Sequence, residues 1–305
     1  MKVWLFTNVR DEQNIEEWCA FHTLLGFDHI VVLDHLSVDP VAEKLAKWTA
    51  SGAVEVQRID WKLPIKNRCI KHAVNMAKQN DVDWMLYLDG DEYLSLHPRY
   101  ESSVERYIVE TEAKTGKRLN MIAMNWLLFG SNGHSTRPDG LVIDNYTKCA
   151  RQLDIHVKCL VRPDTVVRVT LPHFYYVSGD RDQVVNYAGR PVLPVGTDEQ
   201  MAALTKPFQR FARRADFVSQ GYGCFNFDNA DSLEEAYALI AHYDGQSYDT
   251  YMKRKVNRFR DDVMLKREHF QEAAYHLKNN DVTFERLKND YSLSVATTLR
   301  NLNAR

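Results

Sequence analysis

The sequence predicts an α/β fold in which a mostly parallel sheet is flanked by helices. Short apolar strands alternate with amphipathic helices over the first half of the chain, and the apolar run at 84–88 is typical of a strand buried on both faces. Alternation of this kind implies parallel strands joined by right-handed crossovers, with helices packed on the sheet faces. With 305 residues, the chain can bury a sizeable core.

Hydrophobic periodicity places the individual elements. It predicts strands at 3–6, 30–33, 54–56 and 84–89, with helical segments in the intervals between them. After residue 95 the pattern is less regular, and it predicts a helix at 100–112, strands at 121–126 and 166–171, and a polar, glycine-rich loop at 129–140. Since parallel strands end at one edge of a sheet, we expect the residues after each strand to form a ligand site there.

Three carboxylates follow the strand at 84–89 within four positions, at Asp89, Asp91 and Glu92. They would repel one another unless a cation lay among them, and oxygen ligands at this density suit Mg²⁺ or Mn²⁺. Such ions commonly arrive bound to a diphosphate. We therefore predict a metal and nucleotide site at this junction, and the alternative is a solvated acidic turn after a strand.

Composition and motifs argue against several classes of protein. A formal charge of −2 gives no reason to expect nucleic acid or an anionic membrane as the main partner. No dinucleotide-binding glycine motif or P-loop occurs, so a diphosphate would have to be met by metal and cationic side chains. The five cysteines lie far apart, which suggests neither a zinc site nor a disulfide framework. The sequence lacks a signal peptide and the roughly 18-residue apolar stretch of a transmembrane segment, so we expect a soluble, cytoplasmic protein.

Four motifs follow one another along the chain. They are Asn8-Val9-Arg10-Asp11-Glu12 with Glu17–His22 and Leu25–Asp28; Asp83-Trp84 through Asp89-Gly90-Asp91-Glu92-Tyr93; Asn125-Trp126 with Phe129–His134; and Ile240-Ala241-His242-Tyr243 with Ser247 and Lys253 or Lys255. In this order they resemble the motifs of GT-A fold glycosyltransferases, specifically the family-2-like and family-92-like group. One departure is Asp11, because the family usually has Asn there.

This resemblance implies a GT-A domain over residues 1–260. Its nucleotide-sugar half would cover about 1–126 and its irregular acceptor half about 127–260, with 261–305 as a C-terminal helical extension. The implied activity is metal-dependent transfer of a sugar from a nucleotide diphosphate sugar, with UDP-sugar as the leading donor, to a glycan or glycoconjugate hydroxyl, with inversion. Two alternatives stay open: a sugar-nucleotide pyrophosphorylase, and a non-catalytic nucleotide- or glycan-binding domain.

The resemblance and the chemistry of the departing diphosphate together suggest a metal site. A divalent ion, Mn²⁺ or Mg²⁺, would neutralise the negative charge that develops on the leaving group. The predicted ligands are Asp91, Asp89 and the distal His242, with His173 in reserve. Glu92 either ligates the ion, orients Asp91 or contacts the acceptor.

The element that carries His242 is ambiguous from sequence. The capping-box pattern at Ser232–Glu235 predicts a helix that continues through Tyr243. The resemblance instead implies a short strand at 239–243 and a helix that starts at Ser247.

The remaining candidates would contact the nucleotide or the acceptor. Predicted nucleotide contacts are Val9, Arg10, Glu12, Asp34, Lys66, Arg68, Asp89, Gly90, Ser247 and Lys253. Ser247 and one lysine of the basic segment 253–260 are expected to meet the diphosphate at a helix start. An inverting transfer also needs a base near the acceptor hydroxyl. The candidates are Asp144, Asp139 and His134, of which Asp144 fits best if 145–150 is helical, while Asp139 also suits a turn.

Overall fold

The computed structural model describes residues 1–171, 173–193, 196–203, 225–257 and 269–304. Cys224 and Arg258 therefore lie outside the described residues. The strands in chain order are β1 (Val3–Val9), β2 (His29–His35), β3 (Val54–Ile59), β4 (Trp84–Tyr87), β5 (Glu92–Leu96), β6 (Met121–Leu128), β7 (Lys148–Cys149), β8 (Asp154–Val161), β9 (Val166–Leu171), β10 (Phe174–Val177), β11 (Val184–Asn186), β12 (Ala238–His242) and β13 (Val282–Thr283).

Helices flank the sheet and connect its strands. They are α1 (Ile15–Leu24), α2 (Val41–Lys44), α3 (Ala46–Ala50), α4 (Lys66–Gln79), α5 (Val104–Thr115), α6 (Val142–Asn145) and α7 (Asp198–Ala203), followed by helices at Tyr248–Tyr251, Glu272–His276 and Arg286–Ala304. A π-helical segment, Met252–Val256, continues directly from Tyr248–Tyr251. Within the described ranges, no helix is both long enough and apolar enough to cross a membrane.

The strand order of the central sheet is β3-β2-β1-β4-β8-β6-β12-β5, with β11 paired to β6. Strands β1 to β4 are parallel, whereas β8 runs antiparallel to both β4 and β6, and β5 runs antiparallel to β12. The carboxyl ends of β1, β2, β4, β6 and β12 therefore share one edge with the amino ends of β5 and β8. The predicted class, an α/β fold with a mostly parallel sheet and flanking helices, is confirmed.

Two hydrophobic clusters cover the two faces of the sheet. Successive residues of β1 alternate between them, since Leu5 belongs to one cluster and Phe6 to the other. The first cluster also contains Phe284 and Val295 from the C-terminal part of the chain, and β13 pairs with β7. The described C-terminal residues thus pack in the same core as the central strands.

The local helix prediction through Tyr243 is wrong, and the helical condition attached to Asp144 is not met; strand pairing explains both. Ser232 Oγ does accept from the Glu235 backbone N–H at 3.2 Å, yet the chain then enters β12, which pairs with β5 on one side and β6 on the other. Residues 145–150, whose helicity was the condition for Asp144 as the base, do not form a helix, because α6 ends at Asn145 and Lys148–Cys149 form β7 against β13. Distant partners, which local sequence does not reveal, decide both segments.

Candidate active site

The loop between β4 and β5 holds Asp89 between two lysines. Asp89 Oδ2 accepts from Lys158 Nζ at 2.8 Å, and Oδ1 accepts from Lys66 Nζ. Lys66 begins α4 and also donates to Asn8 Oδ1 at 2.6 Å. Burial alone would raise the pKa of Asp89, but the two ammonium groups hold it well below its usual value. Asp89 is therefore a carboxylate already paired with cations of the chain, and its predicted role as a metal ligand stays a prediction.

Glu92 lies beneath this loop and is fully buried. Its Oε2 accepts from the Asp89 backbone N–H at 2.9 Å and lies 3.1 Å from Lys158 Nζ. Burial raises the pKa of Glu92 to about 8, although the nearby Lys158 ammonium acts to lower it. Glu92 thus holds the Asp89 end of the loop, and the roles predicted for it, as a metal ligand, in orienting Asp91 or as an acceptor contact, stay predictions.

Sequence reasoning missed Lys158, which is 1% exposed. Lys158 lies on β8, where its ammonium contacts both Asp89 and Glu92, and the register of β8 on β6 shifts between Asn125 and Trp126. His156 Nδ1 lies 2.6 Å from Asp154 Oδ1, and its ring stacks on Trp126 with centroids 5.1 Å apart. A detectable signal was present, because Lys158 interrupts an apolar run that would otherwise extend from 157 to 161.

The described residues bring one potential metal-binding group together: Asp91, His242 and Asp244, with one ligand atom of each within 4.8 Å of the others. His242 Nε2 lies 3.7 Å from Asp91 Oδ1 and 3.7 Å from Asp244 Oδ1. The order of the strands explains this meeting, since His242 ends β12 and pairs with Glu92 at the start of β5. Sequence reasoning identified Asp91 and His242, but it missed Asp244 two positions beyond His242.

The protonation states of this group suit a divalent cation. Burial lowers the pKa of His242 despite the two nearby carboxylates, so its imidazole is neutral and can offer a lone pair. Burial opposes ionisation of Asp91, but Lys255, His242 and Arg254 lower the pKa of its carboxyl. Two carboxylates and one neutral imidazole form a donor set that fits Mn²⁺ or Mg²⁺.

Two basic side chains of the π-helical segment reach the same group. Lys255 Nζ lies 2.6 Å from Asp91 Oδ2 and 3.3 Å from Asp244 Oδ1. An Arg254 Nη atom lies 2.5 Å from Glu12 Oε2 and 3.9 Å from Asp91 Oδ2. Cations therefore line the acidic group on the side of residues 252–256, in keeping with a site that receives an anionic ligand.

The end of β1 packs closely against the acidic loop. A Cβ atom added to Gly90 would lie 3.0 Å from Val9 Cγ1 and 3.3 Å from Glu12 Cγ, so glycine permits this approach. Arg10 follows Val9 and is partly exposed. Asp11 has a φ of +56°, a conformation that Asn and Asp both tolerate, and its Oδ1 accepts from the Val38 N–H at 2.8 Å.

Two further nucleotide candidates, Asp34 and Arg68, have protein partners. Asp34 Oδ2 accepts from Arg58 Nη1 at 2.9 Å, while its Oδ1 accepts from the Ser37 N–H at 3.0 Å. The Arg68 guanidinium lies over the Trp61 ring, 4.2 Å from its centroid. Both roles stay predictions.

Ser247 and Lys253 lie on either side of the helix that follows β12. Ser247 is buried at the start of this helix, where its Oγ contacts Asp249 Oδ1 at 2.5 Å. Lys253 is exposed and lines a cavity of about 240 Å³ together with Asp11, Arg254 and other residues of the two segments. The helix start expected at Ser247 is confirmed.

The three base candidates lie around α6. Asp144 Oδ2 accepts from Ser292 Oγ of the C-terminal helix at 3.0 Å. His134 Nε2 lies 3.3 Å from the Asn145 carbonyl oxygen, and the Asp139 carbonyl accepts from Asn145 Nδ2 at 2.8 Å. Their catalytic roles stay predictions.

His173, the reserve ligand, is not part of the Asp91 group. Its Nδ1 lies 3.2 Å from the Val157 carbonyl oxygen, and its ring packs edge-on against Trp126 at 4.9 Å. The same Trp126 ring lies 4.4 Å from the ring of His242. His173 therefore flanks the metal-binding group through an aromatic neighbour.

A family model, glycosyltransferase family 92, matches residues 5–187. The chain belongs to glycosyltransferase family 92. The family predicted from the motifs is thereby confirmed. In this family-92 chain the matched range contains Asp89 and Asp91, whereas His242 and Asp244 lie beyond it. Comparison with curated protein sequences finds no match.

Several solved structures show a limited similarity to this family-92 chain. S. aureus TarS 1–349 in complex with UDP aligns with a TM-score of 0.37 and 12% identity over 54% of this chain and 48% of that chain. The UDP-GlcNAc complex of TarS 1–349 aligns with a TM-score of 0.32 and 13% identity over 42% and 35% of the two chains. HddC from Yersinia pseudotuberculosis aligns with a TM-score of 0.34 and 9% identity over 58% and 84%. This chain spans less than half the length of these TarS chains.

Proposed function

We propose that this chain is a metal-dependent glycosyltransferase that moves a sugar from a nucleotide diphosphate sugar, with UDP-sugar as the leading donor, to a glycan or glycoconjugate hydroxyl with inversion. One observation carries the proposal beyond family membership. The Asp91–His242–Asp244 group, in which Asp91 and His242 are buried, lies next to Lys255 and Arg254 at the edge where the parallel strands end. An acidic ligand set beside cations suits a cation together with a diphosphate.

In this proposal the donor lies across the edge of the sheet. A bound divalent ion would supply positive charge to the departing diphosphate. Asp91, His242 and Asp244 would hold that ion, while Lys255 and Arg254 would bind phosphate oxygens directly. The cavity beside Lys253 and Arg254 would receive the remainder of the nucleotide or its diphosphate.

The acceptor hydroxyl must lose a proton to a group on the opposite face of the sugar from the leaving diphosphate. Asp144 is the first candidate for this base, followed by Asp139 and His134. A base is required for transfer but not for binding of the donor product. An Asp144→Asn variant should therefore keep nucleotide binding and lose transfer, and a variant that retains transfer would exclude Asp144.

A thermal-shift panel tests the donor site. UDP, GDP, CDP and dTDP are each added with and without Mn²⁺ to the wild type, to Asp91→Asn and to Asp164→Asn. Asp164 is a matched control, because its side chain is 67% exposed and pairs with Arg118 on the surface. We expect one nucleotide, UDP first, to stabilise the wild type and Asp164→Asn in the presence of Mn²⁺, and not Asp91→Asn.

A turnover assay with the matching nucleotide sugar then separates the alternatives. Release of nucleoside diphosphate without added pyrophosphate supports transfer or hydrolysis of the donor. Formation of nucleoside triphosphate only after pyrophosphate is added would instead indicate a pyrophosphorylase. Equal nucleotide shifts in wild type and Asp91→Asn would refute the proposed metal site.

A further inference from the structure

The ammonium group of Lys255 lies within the group of metal-binding side chains. It is 2.6 Å from Asp91 Oδ2 and 3.3 Å from Asp244 Oδ1, two of the three residues that could hold a cation. Asp91 is 3% exposed, so its carboxylate depends on nearby positive charge rather than on water. Lys255 thus supplies to these oxygens the charge that a bound ion would also supply.

In the described part of the chain, Lys255 is the cationic group nearest to the Asp91 carboxylate. Arg254 lies closer to Glu12, at 2.5 Å, than to Asp91, at 3.9 Å. His242 is neutral and provides no full charge. An ammonium and a divalent ion held by the same two carboxylates would repel each other and compete for their negative charge.

We propose that Lys255 occupies the place of the divalent cation until a nucleoside diphosphate draws its ammonium onto the phosphates, so that metal binding depends on the nucleotide. This inference rests on the proposed function, and it adds an order to the binding of the two ligands. The diphosphate provides a second set of anionic oxygens for the lysine, which frees the carboxylates for the ion. Lys255 is therefore a positioning residue as well as a phosphate contact.

The experiment measures free Mn²⁺ by electron paramagnetic resonance during titration with MnCl₂ alone, without nucleotide. The proteins are the wild type, Lys255→Met, Lys71→Met and Lys255→Met/Asp91→Asn. Lys71→Met is the control, because it removes the same charge from an exposed position on α4 to which no site role is assigned. We expect Mn²⁺ to bind Lys255→Met at least about tenfold more tightly than either the wild type or Lys71→Met. The added Asp91→Asn substitution should remove this gain.

A second measurement follows UDP binding in the absence of metal. If Lys255 moves onto the phosphates, Lys255→Met should bind UDP about tenfold more weakly than the wild type. Equal or weaker Mn²⁺ binding by Lys255→Met, or unchanged UDP affinity, would overturn the inference while the nucleotide-dependent shifts of the wild type still stood. Absence of any nucleotide shift in the wild type would instead refute the proposed function itself.

Discussion

Replacing Lys158 by methionine should destabilise the protein by about 3 kcal/mol at pH 7. Lys158 is 1% exposed and contacts Asp89 at 2.8 Å and Glu92 at 3.1 Å. Removing one partner of a buried ion pair typically costs about 3–5 kcal/mol, because the remaining charge is left without compensation. The lower end of this range applies here. Asp89 keeps its ion pair with Lys66, and burial raises the pKa of Glu92 to about 8, so that Glu92 can be protonated and neutral at pH 7.

Urea denaturation at pH 7 measures this loss. With a slope of roughly 3 kcal/mol per molar urea, the midpoint should fall by about 1 M. Lys71→Met, an exposed lysine of α4, serves as the control and should stay within about 0.5 kcal/mol of the wild type. Glu92→Gln should cost less in the Lys158→Met background than in the wild type, because the two side chains interact. A loss equal to that of Lys71→Met would refute the view that Lys158 holds the acidic loop.

Two further substitutions test the packing around the site. Burial raises the pKa of Glu17 from 4.5 to about 7, so the native state holds a proton that the unfolded state loses over this range. The contribution of Glu17 to stability should therefore fall by roughly 3 kcal/mol as pH rises from 4.5 to 7. The difference in free energy of unfolding between the wild type and Glu17→Gln should change by this amount in urea titrations at several pH values. Parallel profiles would contradict the assignment. Gly90→Ala should lower the free energy of unfolding by about 1–3 kcal/mol and weaken nucleotide binding in the thermal-shift assay, because its Cβ would crowd Val9 and Glu12. An unchanged urea midpoint would contradict this prediction and show that the loop moves to accommodate the methyl group.

The acidic junction shows how far sequence reasoning extends. The apolar run before Asp89 and the carboxylates after it predicted a strand end with a ligand site, and β4 does end at Tyr87 with this loop at the carboxyl edge. The same reasoning did not predict which cationic side chains contact those carboxylates. Lys158 comes from an antiparallel strand whose position between β4 and β6 leaves little trace in local periodicity.

Around His242, the local sequence pattern predicts the wrong secondary structure. Its local sequence satisfies a helix-capping pattern, and the capping contact of Ser232 does form. Pairing on both sides with distant strands nevertheless makes 238–242 a strand. Backbone hydrogen bonds to two neighbours outweigh a local preference worth about 1 kcal/mol.

The sequence by itself determined the α/β class, the family and the identity of Asp91 and His242 as a pair of candidate ligands. The α/β class depends on the order of apolar and polar residues along the chain, whereas the family and the ligand role of His242 are implied by the resemblance of the motifs to that family. Only the tertiary structure decided that Asp244 joins this pair and that the Lys255 ammonium lies against the carboxylates of Asp91 and Asp244. Such contacts depend on strand order and on the path of the chain after β12, because proximity in space between distant residues is a property of the packed sheet.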